Sequence, residues 1–159
     1  YIQKLQLNKH PEGGYFKEVY RAGEMFFIDA PKKNLKRNVT TSIYFLLDGS
    51  QVSKFHRLKS DELWHFYDGT SVKIHCIDEK GKLTEIILGK KTENGEMFQV
   101  VIKKNTWFAA EVISKRSFAL IGCTVSPGFD FSDFELADRE SLSQQFPKLK
   151  DLIFKFTNS

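Results

Sequence analysis

The chain has 159 residues and a mass of 18.4 kDa, which is enough for one domain with a core of its own. Apolar residues make up 41% and charged residues 28%, a balance typical of a globular protein and not of a disordered one. The net charge of +4 is a mild excess, and no nucleic-acid-binding motif accompanies it. The apolar runs are too short to span a bilayer, and two cysteines are too few for a disulfide scaffold.

The start of the chain and its cysteine count set an expectation for its compartment. The sequence begins at Tyr1 without methionine, so we expect it to be trimmed, and no secretory signal is visible. With so few cysteines, the cytoplasm is the expected location. The densest basic cluster has no interleaved aromatic residues, so we interpret it as a solvated loop and not as an anion site. The cluster consists of Lys32, Lys33, Lys36 and Arg37.

Period-two alternation of apolar and polar residues dominates the chain and predicts strands. The predicted strands cover residues 15–21, 39–47, 52–58, 62–67, 71–77, 82–88, 97–102, 106–112 and 116–125. The pair Asn94-Gly95 predicts a two-residue hairpin turn. Short strands at such regular spacing are typical of a β-sandwich or a small barrel.

Helix is predicted only near the two ends of the chain. Residues 1–7 have the pattern of a short amphipathic helix. Asp138 is a suitable N-cap for a helix over 139–145, and Pro147 is placed to open a second short helix that runs to residue 153. No linker or internal repeat divides the chain, so we expect one domain over residues 1–159.

The candidate chemistry lies on two strands joined by a short turn. Alternation puts His56 on one face of the first strand, and it puts Glu62, Trp64 and Phe66 on one face of the second. If both faces look inward, an imidazole and a carboxylate meet in an aromatic cavity. That arrangement suits a metal-ligand pair or an acid–base pair tuned by burial. The alternatives are an ordinary core histidine and a purely structural His–Glu bridge.

The spacing G-x6-H-x-L-x3-E-x6-G, from Gly49 to Gly69, resembles the first motif of the cupin superfamily. Within that superfamily, four stretches in this order are similar to a small RmlC-like branch. They are His10-Pro-Glu-Gly-Gly-Tyr-Phe16, Phe55-His-Arg-Leu58, Asp61-Glu-Leu-Trp-His-Phe-Tyr67 and Pro127-Gly-Phe-Asp-Phe131. The resemblance implies an all-β jelly roll, the double-stranded β-helix barrel of cupins, with short helices at its ends.

The cupin motifs normally supply three histidines and a glutamate to a metal, and this chain departs from that pattern. Leu58 stands where the second histidine of the first motif is expected, and Phe108 stands where the second motif has its histidine. Only His56 and Glu62 remain of the expected ligands. Transition-metal sites normally need three protein ligands, so we expect no cofactor. A divalent metal on these two residues is the alternative.

The resemblance also implies a small-molecule ligand in the barrel. The stretch Gly14-Tyr-Phe16-Lys-Glu18 is similar to the entry strand of sugar-nucleotide epimerases, so Glu18 and the nearby Arg21 are candidates to face the ligand. The alternatives are that both are solvated or that they pair with each other. The aromatic candidates for ligand contact are Tyr44, Trp64, Trp107, Phe108 and Phe129, with simple core filling as the alternative. Glu12-Gly13-Gly14 either brings backbone close to a ligand or forms a turn. We interpret Cys123 as a small, buried apolar residue.

Three functions are compatible with these residues. The first is a cupin that binds a small polar molecule, such as a sugar or sugar nucleotide, with metal-independent epimerase or isomerase chemistry. In it, His56 is the acid or base and Glu62 its partner. The second is a metal-dependent cupin enzyme with a sparse site, and the third is a binding module without activity. We expect a homodimer, and no nucleic-acid or membrane partner.

Overall fold

Two antiparallel β-sheets face each other in the computed structural model, which describes residues 1–30 and 33–158. The strands are β1 (Asn8–Lys9), β2 (Tyr15–Arg21), β3 (Met25–Ala30), β4 (Lys33–Asn38), β5 (Thr41–Asp48), β6 (Val52–Leu58), β7 (Asp61–Gly69), β8 (Val72–Ile77), β9 (Leu83–Leu88), β10 (Gln99–Ile102), β11 (Trp107–Val112), β12 (Phe118–Ser126) and β13 (Phe134–Leu136). One sheet has the order β1-β2-β5-β12-β7-β10, and the other has the order β13-β6-β11-β8-β9. The expected all-β jelly roll is confirmed, as two open layers.

The strand predictions hold for most of the chain. β2 and β6 have the predicted bounds, and the other predicted strands differ by about one to two residues at an end. The hairpin of β3 and β4 was not predicted, and it pairs outside both main sheets. The basic cluster was predicted as a loop, which is wrong where the structure describes it. Lys36 is exposed on β4, Arg37 on the same strand is buried, and Lys32 lies outside the described residues.

The predicted hairpin at Asn94-Gly95 is also wrong. Thr92–Asn94 forms a single 3-10 turn that ends at Gly95, whose φ is 79°. The Glu96 carboxylate accepts hydrogen bonds from the Lys91 N–H and the Ser71 hydroxyl, both at 2.8 Å, and so stabilises a wider loop. β10 consequently pairs along β7.

The terminal helices match the predictions. α1 is Ile2–Leu5, α2 is Arg139–Gln145 and α3 is Lys150–Lys155, with a 3-10 turn at Pro147–Leu149 before α3. Asp138 caps α2, because its Oδ1 accepts the backbone N–H of Ser141 at 2.9 Å. Across residues 1–30 and 33–158, the helices are too short to reach from one side of a membrane to the other.

The core has two main parts, one on each face of the five-stranded sheet. The part between the sheets is formed by buried residues that include Phe45, Trp64, Ile74, Phe108 and Ile121. The second part lies on the outer face of the five-stranded sheet under the C-terminal helices, and it includes Phe55, Trp107, Ile153 and Phe156. Adjacent residues of a strand point to opposite faces, so Trp107 and Phe108 belong to different parts of the core.

Candidate functional site

A pocket of about 330 Å³ opens at one end of the space between the two sheets. Its ionisable and other polar lining residues are His10, Glu12, Glu18, Arg21, Thr41, His56, Glu62, Cys123 and Asp130. Its apolar lining residues are Phe16, Ile43, Phe45, Leu58, Val125, Phe129, Phe131 and Phe134. The volume is at the lower end of the range of small-molecule sites, which is about 300–1,000 Å³.

His56 and Glu62 both line this pocket, as the alternation of β6 and β7 predicts. The side chain of His56 lies beside Phe108, with ring centroids 4.0 Å apart. Glu62 is 7% exposed, and it pairs in register with Val125 of β12. The two residues therefore reach the same cavity from opposite sheets.

The hydrogen-bond partner of His56 is Glu12 and not the predicted Glu62. Glu12 Oε2 lies 3.0 Å from His56 Nε2, and Glu12 Oε1 accepts the Ser53 hydroxyl at 2.8 Å. The backbone carbonyl of Glu12 accepts the N–H of Lys54 at 2.8 Å, which holds the turn against β6. Gly13 makes this turn possible, because its φ is 112° and a Cβ there would collide with the carbonyl of Val52.

Both ring nitrogens of His56 are in use. Nδ1 donates to the backbone carbonyl of Lys54 at 2.7 Å, and Nε2 faces the Glu12 carboxylate. Burial alone would lower the pKa of His56, but the charge and hydrogen bond of Glu12 outweigh burial and raise it. Burial alone would raise the pKa of Glu12, but the charge and hydrogen bond of His56, the charge of His10 and the Ser53 hydrogen bond together outweigh burial and lower it. The pair is therefore an imidazolium and a carboxylate.

Glu62 is in a different electrostatic state from Glu12. Burial raises the pKa of Glu62 to about 7, with the charge of His56 lowering it and that of Glu12 raising it. Its Oε2 is buried and has no hydrogen-bond partner in the described part of the chain. A buried carboxyl group that has one unpaired oxygen and titrates near neutral pH can both accept and donate a proton there.

His10 contributes a neutral imidazole to the same wall of the pocket. Its Nδ1 accepts the backbone N–H of Glu12 at 3.3 Å, which leaves the proton on Nε2. Burial lowers the pKa of His10, against the opposing charge of Glu12. The ring packs edge-on against Phe16 with a centroid distance of 4.6 Å.

Comparison with known proteins identifies the family. The profile described as "Cupin superfamily (DUF985)" matches residues 1–137. The chain belongs to the cupin superfamily. Among curated relatives of this cupin, the uncharacterized protein YML079W from Saccharomyces cerevisiae is 31% identical over 143 residues, which cover 83% of this chain and 71% of that protein.

Three solved structures are similar to this chain in fold. Protein SO0799 from Shewanella oneidensis is similar to this cupin, with 38% identity, a TM-score of 0.88 and coverage of 99% of this chain and 94% of that one. A hypothetical protein from Leishmania major has 31% identity, a TM-score of 0.90 and coverage of 99% and 97%. Oxalate decarboxylase from Bacillus subtilis, at 16% identity, shares the fold with a TM-score of 0.59, over 94% of this chain and 36% of that one.

The donor set of this cupin does not fit the metal that many cupins hold. Nδ1 and Nε2 of His56 are both engaged, and a ligating imidazole needs one free, deprotonated nitrogen. Leu58 and Phe108, at the two missing histidine positions, offer no donor atom. Within residues 1–30 and 33–158, no group of three or more His, Cys, Asp or Glu side chains has the arrangement of a metal site.

Two of the predicted ligand contacts lie in the core beside the pocket. Trp64 is 1% exposed and packs between Phe45 and Phe108, each with a centroid distance of 5.9 Å. Phe108 is equally buried and packs against the ring of His56. Both side chains shape the pocket floor without lining it.

Two further aromatic predictions are contradicted by the direction of their side chains. Trp107 faces the C-terminal helices on the outer side of its sheet, where the guanidinium of Arg57 stacks on it at 4.4 Å. Tyr44 pairs in register with Gly122 and points away from the pocket, beside Tyr67 at a centroid distance of 6.1 Å. In both cases strand alternation places the ring on the face of the sheet that points away from the pocket.

Glu18, Arg21 and Phe129 all line the pocket near its opening. Arg21 and Glu18 also pair with each other, with Nη2 2.7 Å from Oε2. The Arg21 guanidinium donates to the backbone carbonyl of Phe129 at 3.2 Å as well. The hydrogen bonds to Phe129 thereby tie β2 to the loop that carries the aromatic rings.

Sequence reasoning missed several pocket residues. His10 and Glu12 were visible only as parts of a glycine-rich turn, although their position ahead of two glycines was a usable indication. Cys123 lines the pocket next to Glu62, and burial raises the pKa of its thiol well above the ordinary value. The thiol is therefore protonated at neutral pH.

Proposed function

We propose that this cupin binds a small polar molecule, about the size of one sugar ring, and exchanges a proton with it through Glu62 in a metal-independent isomerase or epimerase reaction. We also place it in the RmlC-like branch, on the motifs quoted above. The single observation that supports the proposal is the buried Glu62 carboxyl, whose Oε2 has no partner among the residues that the structure describes and which lines a pocket of ligand size. A buried, unsatisfied carboxyl costs stability, and a ligand that pairs with it offsets that cost.

The neighbouring charges suit proton transfer from carbon. Glu62 as a carboxylate takes a proton from a carbon next to a carbonyl, the electrons of the C–H bond move into the carbonyl, and an enolate forms. The imidazolium of His56, fixed by Glu12 and by the Lys54 carbonyl, stabilises the developing negative charge. In a substrate whose first carbon also bears a hydroxyl group, the hydroxyl proton moves to the enolate oxygen and protonated Glu62 returns its proton to the former carbonyl carbon. The carbonyl re-forms on the first carbon, which completes an isomerisation without net oxidation.

This assignment changes the role first given to His56. Because both of its nitrogens already have protein partners, His56 acts as a fixed charge, and Glu62 is the group that gains and loses the proton. Phe16, Phe45 and Phe134 exclude water from the reacting groups, which strengthens each electrostatic contact.

The test is hydrogen exchange into candidate substrates in D2O. The EDTA-treated protein is incubated separately with aldoses, ketoses, amino sugars and sugar nucleotides, and each compound is analysed by mass spectrometry. We expect a single deuterium to enter one class, and we expect Glu62→Gln to slow this exchange by about a hundredfold or more. Asp61→Asn is the control, because Asp61 lies next to Glu62 in sequence but pairs with Lys103 outside the pocket.

Three results would count against the proposal. Exchange into none of the four classes by the folded protein removes proton transfer. A rate that is the same in the wild type and in Glu62→Gln removes the role of Glu62. Activity that disappears with EDTA and returns with a divalent metal supports the metal-dependent alternative instead.

A further inference from the structure

We propose that the ligand of this pocket carries a positively charged amine, which is recognised by the Glu62 carboxylate and by the surrounding phenyl rings. This inference rests on the proposed function, since it assumes that the pocket holds a small molecule. It follows from which polar groups of the lining are already satisfied and which are free.

Arg21, one of the two cationic side chains of the lining, has no spare donor. Its Nε and Nη2 donate to the Glu18 carboxylate at 2.9 and 2.7 Å. Its Nη1 donates to Asn38 Oδ1 at 2.8 Å, and both terminal nitrogens donate to the carbonyl of Phe129 at 3.2 Å. A guanidinium has five N–H groups, and these contacts use all of them.

His56, the second cationic side chain, also has no free N–H group. Its two N–H groups go to the Lys54 carbonyl and to Glu12. A phosphate or carboxylate entering the pocket would have to break one of these buried contacts, and the acceptor left behind would lose its partner. Neither cation in the lining therefore has a free N–H group to donate to an anionic ligand.

Among the charged groups of the lining, the carboxylates are the ones with spare hydrogen-bonding capacity. Glu62 Oε2 has no partner among the described residues, and Asp130 at the pocket edge receives bonds from Ser132 only at its Oδ1. The lining acids are Glu12, Glu18, Glu62 and Asp130, against the cations Arg21 and His56. With Glu62 ionised, the acids outnumber the cations, so the pocket favours a cation over an anion.

The aromatic side chains favour the same ligand. Five phenyl rings line the pocket, those of Phe16, Phe45, Phe129, Phe131 and Phe134. Phe129 and Phe131 lie edge to face at 5.0 Å, so their ring faces point in different directions around the opening. An ammonium group is attracted to the faces of such rings, most strongly where water is excluded. A carboxylate with a free oxygen among aromatic rings, such as Glu62 here, suits the recognition of an amine.

The experiment compares three probes with one ring and different charges. Cyclohexylamine is a cation at neutral pH, cyclohexanol is neutral, and cyclohexanecarboxylate is an anion. Binding of each to the wild-type protein is measured by isothermal titration calorimetry. We expect the amine to bind at least about tenfold more tightly than the alcohol, and the carboxylate to bind most weakly.

Two variants distinguish a direct contact between the amine and Glu62 from the long-range electrostatic effect of negative charges elsewhere on the protein. Glu62→Gln keeps the shape and removes the charge, and we expect it to reduce amine affinity about tenfold while leaving alcohol affinity within about twofold. Asp61→Asn removes one negative charge at the neighbouring residue outside the pocket, and amine affinity should stay within about twofold of wild type. If Glu62→Gln does not fold, the relative affinities of the three probes for the wild-type protein still test the amine inference.

The outcomes distinguish this inference from the proposed function. Alcohol or carboxylate binding as tightly as the amine overturns the amine inference and leaves the pocket as a binding site. Amine binding that is unchanged by Glu62→Gln overturns the role of Glu62 as the anchor. No binding of any probe by the folded protein contradicts both the inference and the ligand-binding pocket itself.

Discussion

Glu12 and His56 form a buried ion pair between the turn ahead of β2 and the middle of β6, with Oε2 and Nε2 3.0 Å apart. The pair fixes the charge and the orientation of the imidazole. Glu62 lines the same cavity, and its Oε2 has no hydrogen-bond partner within residues 1–30 and 33–158. The division into one satisfied and one free carboxylate is what gives this pocket its chemical character.

The first prediction concerns the His56 charge. Glu12→Gln removes the carboxylate that raises the pKa of His56, so burial dominates and this pKa falls below its ordinary value of 6.5. We expect the unfolding free energy to fall by about 3 kcal/mol, as for a broken buried pair. Histidine NMR titration and urea unfolding measure the two effects.

Ser53→Ala is the matched control for this variant. It removes only the hydroxyl that donates to Glu12 Oε1, so the carboxylate stays and the pKa of His56 stays raised. A His56 pKa that is unchanged in Glu12→Gln would show that the ion pair does not hold the imidazole charged.

The second prediction concerns the pH dependence of stability. The pKa of Glu62 is raised from 4.5 to about 7 in the folded protein, so the folded state holds a proton that the unfolded state has lost between these values. Stability therefore falls as pH rises through this window, by about 3 kcal/mol from this group alone. Subtracting the urea-unfolding profile of Glu62→Gln from that of the wild type isolates the contribution. A difference that does not change with pH contradicts the raised pKa.

The third prediction concerns the wall of the pocket that carries Phe131 and Phe134. Arg37 on β4 holds this segment, with Nε 2.7 Å from Asp133 Oδ2 and both side chains buried. Arg37→Ala leaves the Asp133 carboxylate without its main partner and should cost about 3 kcal/mol of unfolding free energy.

Lys103→Ala provides the comparison for Arg37→Ala. It breaks the exposed pair with Asp61, which lies at 2.8 Å, and should cost at most about 1 kcal/mol. Equal losses in the two variants, measured by urea unfolding, would mean that burial of the Arg37 pair adds nothing.

Much of the fold was predictable because the core-facing residues alternate. β2 and β6 have the predicted bounds, and the capped helix at Asp138 lies where its local chemistry places it. The β3–β4 hairpin was not predictable in this way, because its position depends on Arg37 reaching Asp133 far along the chain. The loop around Asn94 depends likewise on Glu96 meeting Ser71.

The site was predictable in part for the same reason. Alternation places His56 and Glu62 in one cavity, but it says nothing about which acid pairs with the imidazole. That choice depends on Glu12, which enters from a turn that only the folded structure brings against β6. Trp107 and Tyr44 were assigned to the pocket on their aromatic character, and their register carries them to the opposite faces of their sheets.

The most direct test of the account is the protonation of Glu62 itself. The protein is labelled with 13C at glutamate carboxyl groups, and the Glu62 resonance is assigned as the one absent from Glu62→Gln. We predict a titration midpoint at about 7 for this carboxyl, because it is buried and unpaired. A midpoint near the ordinary value of 4.5 would contradict the account, since Glu62 would then be an ordinary ionised carboxylate.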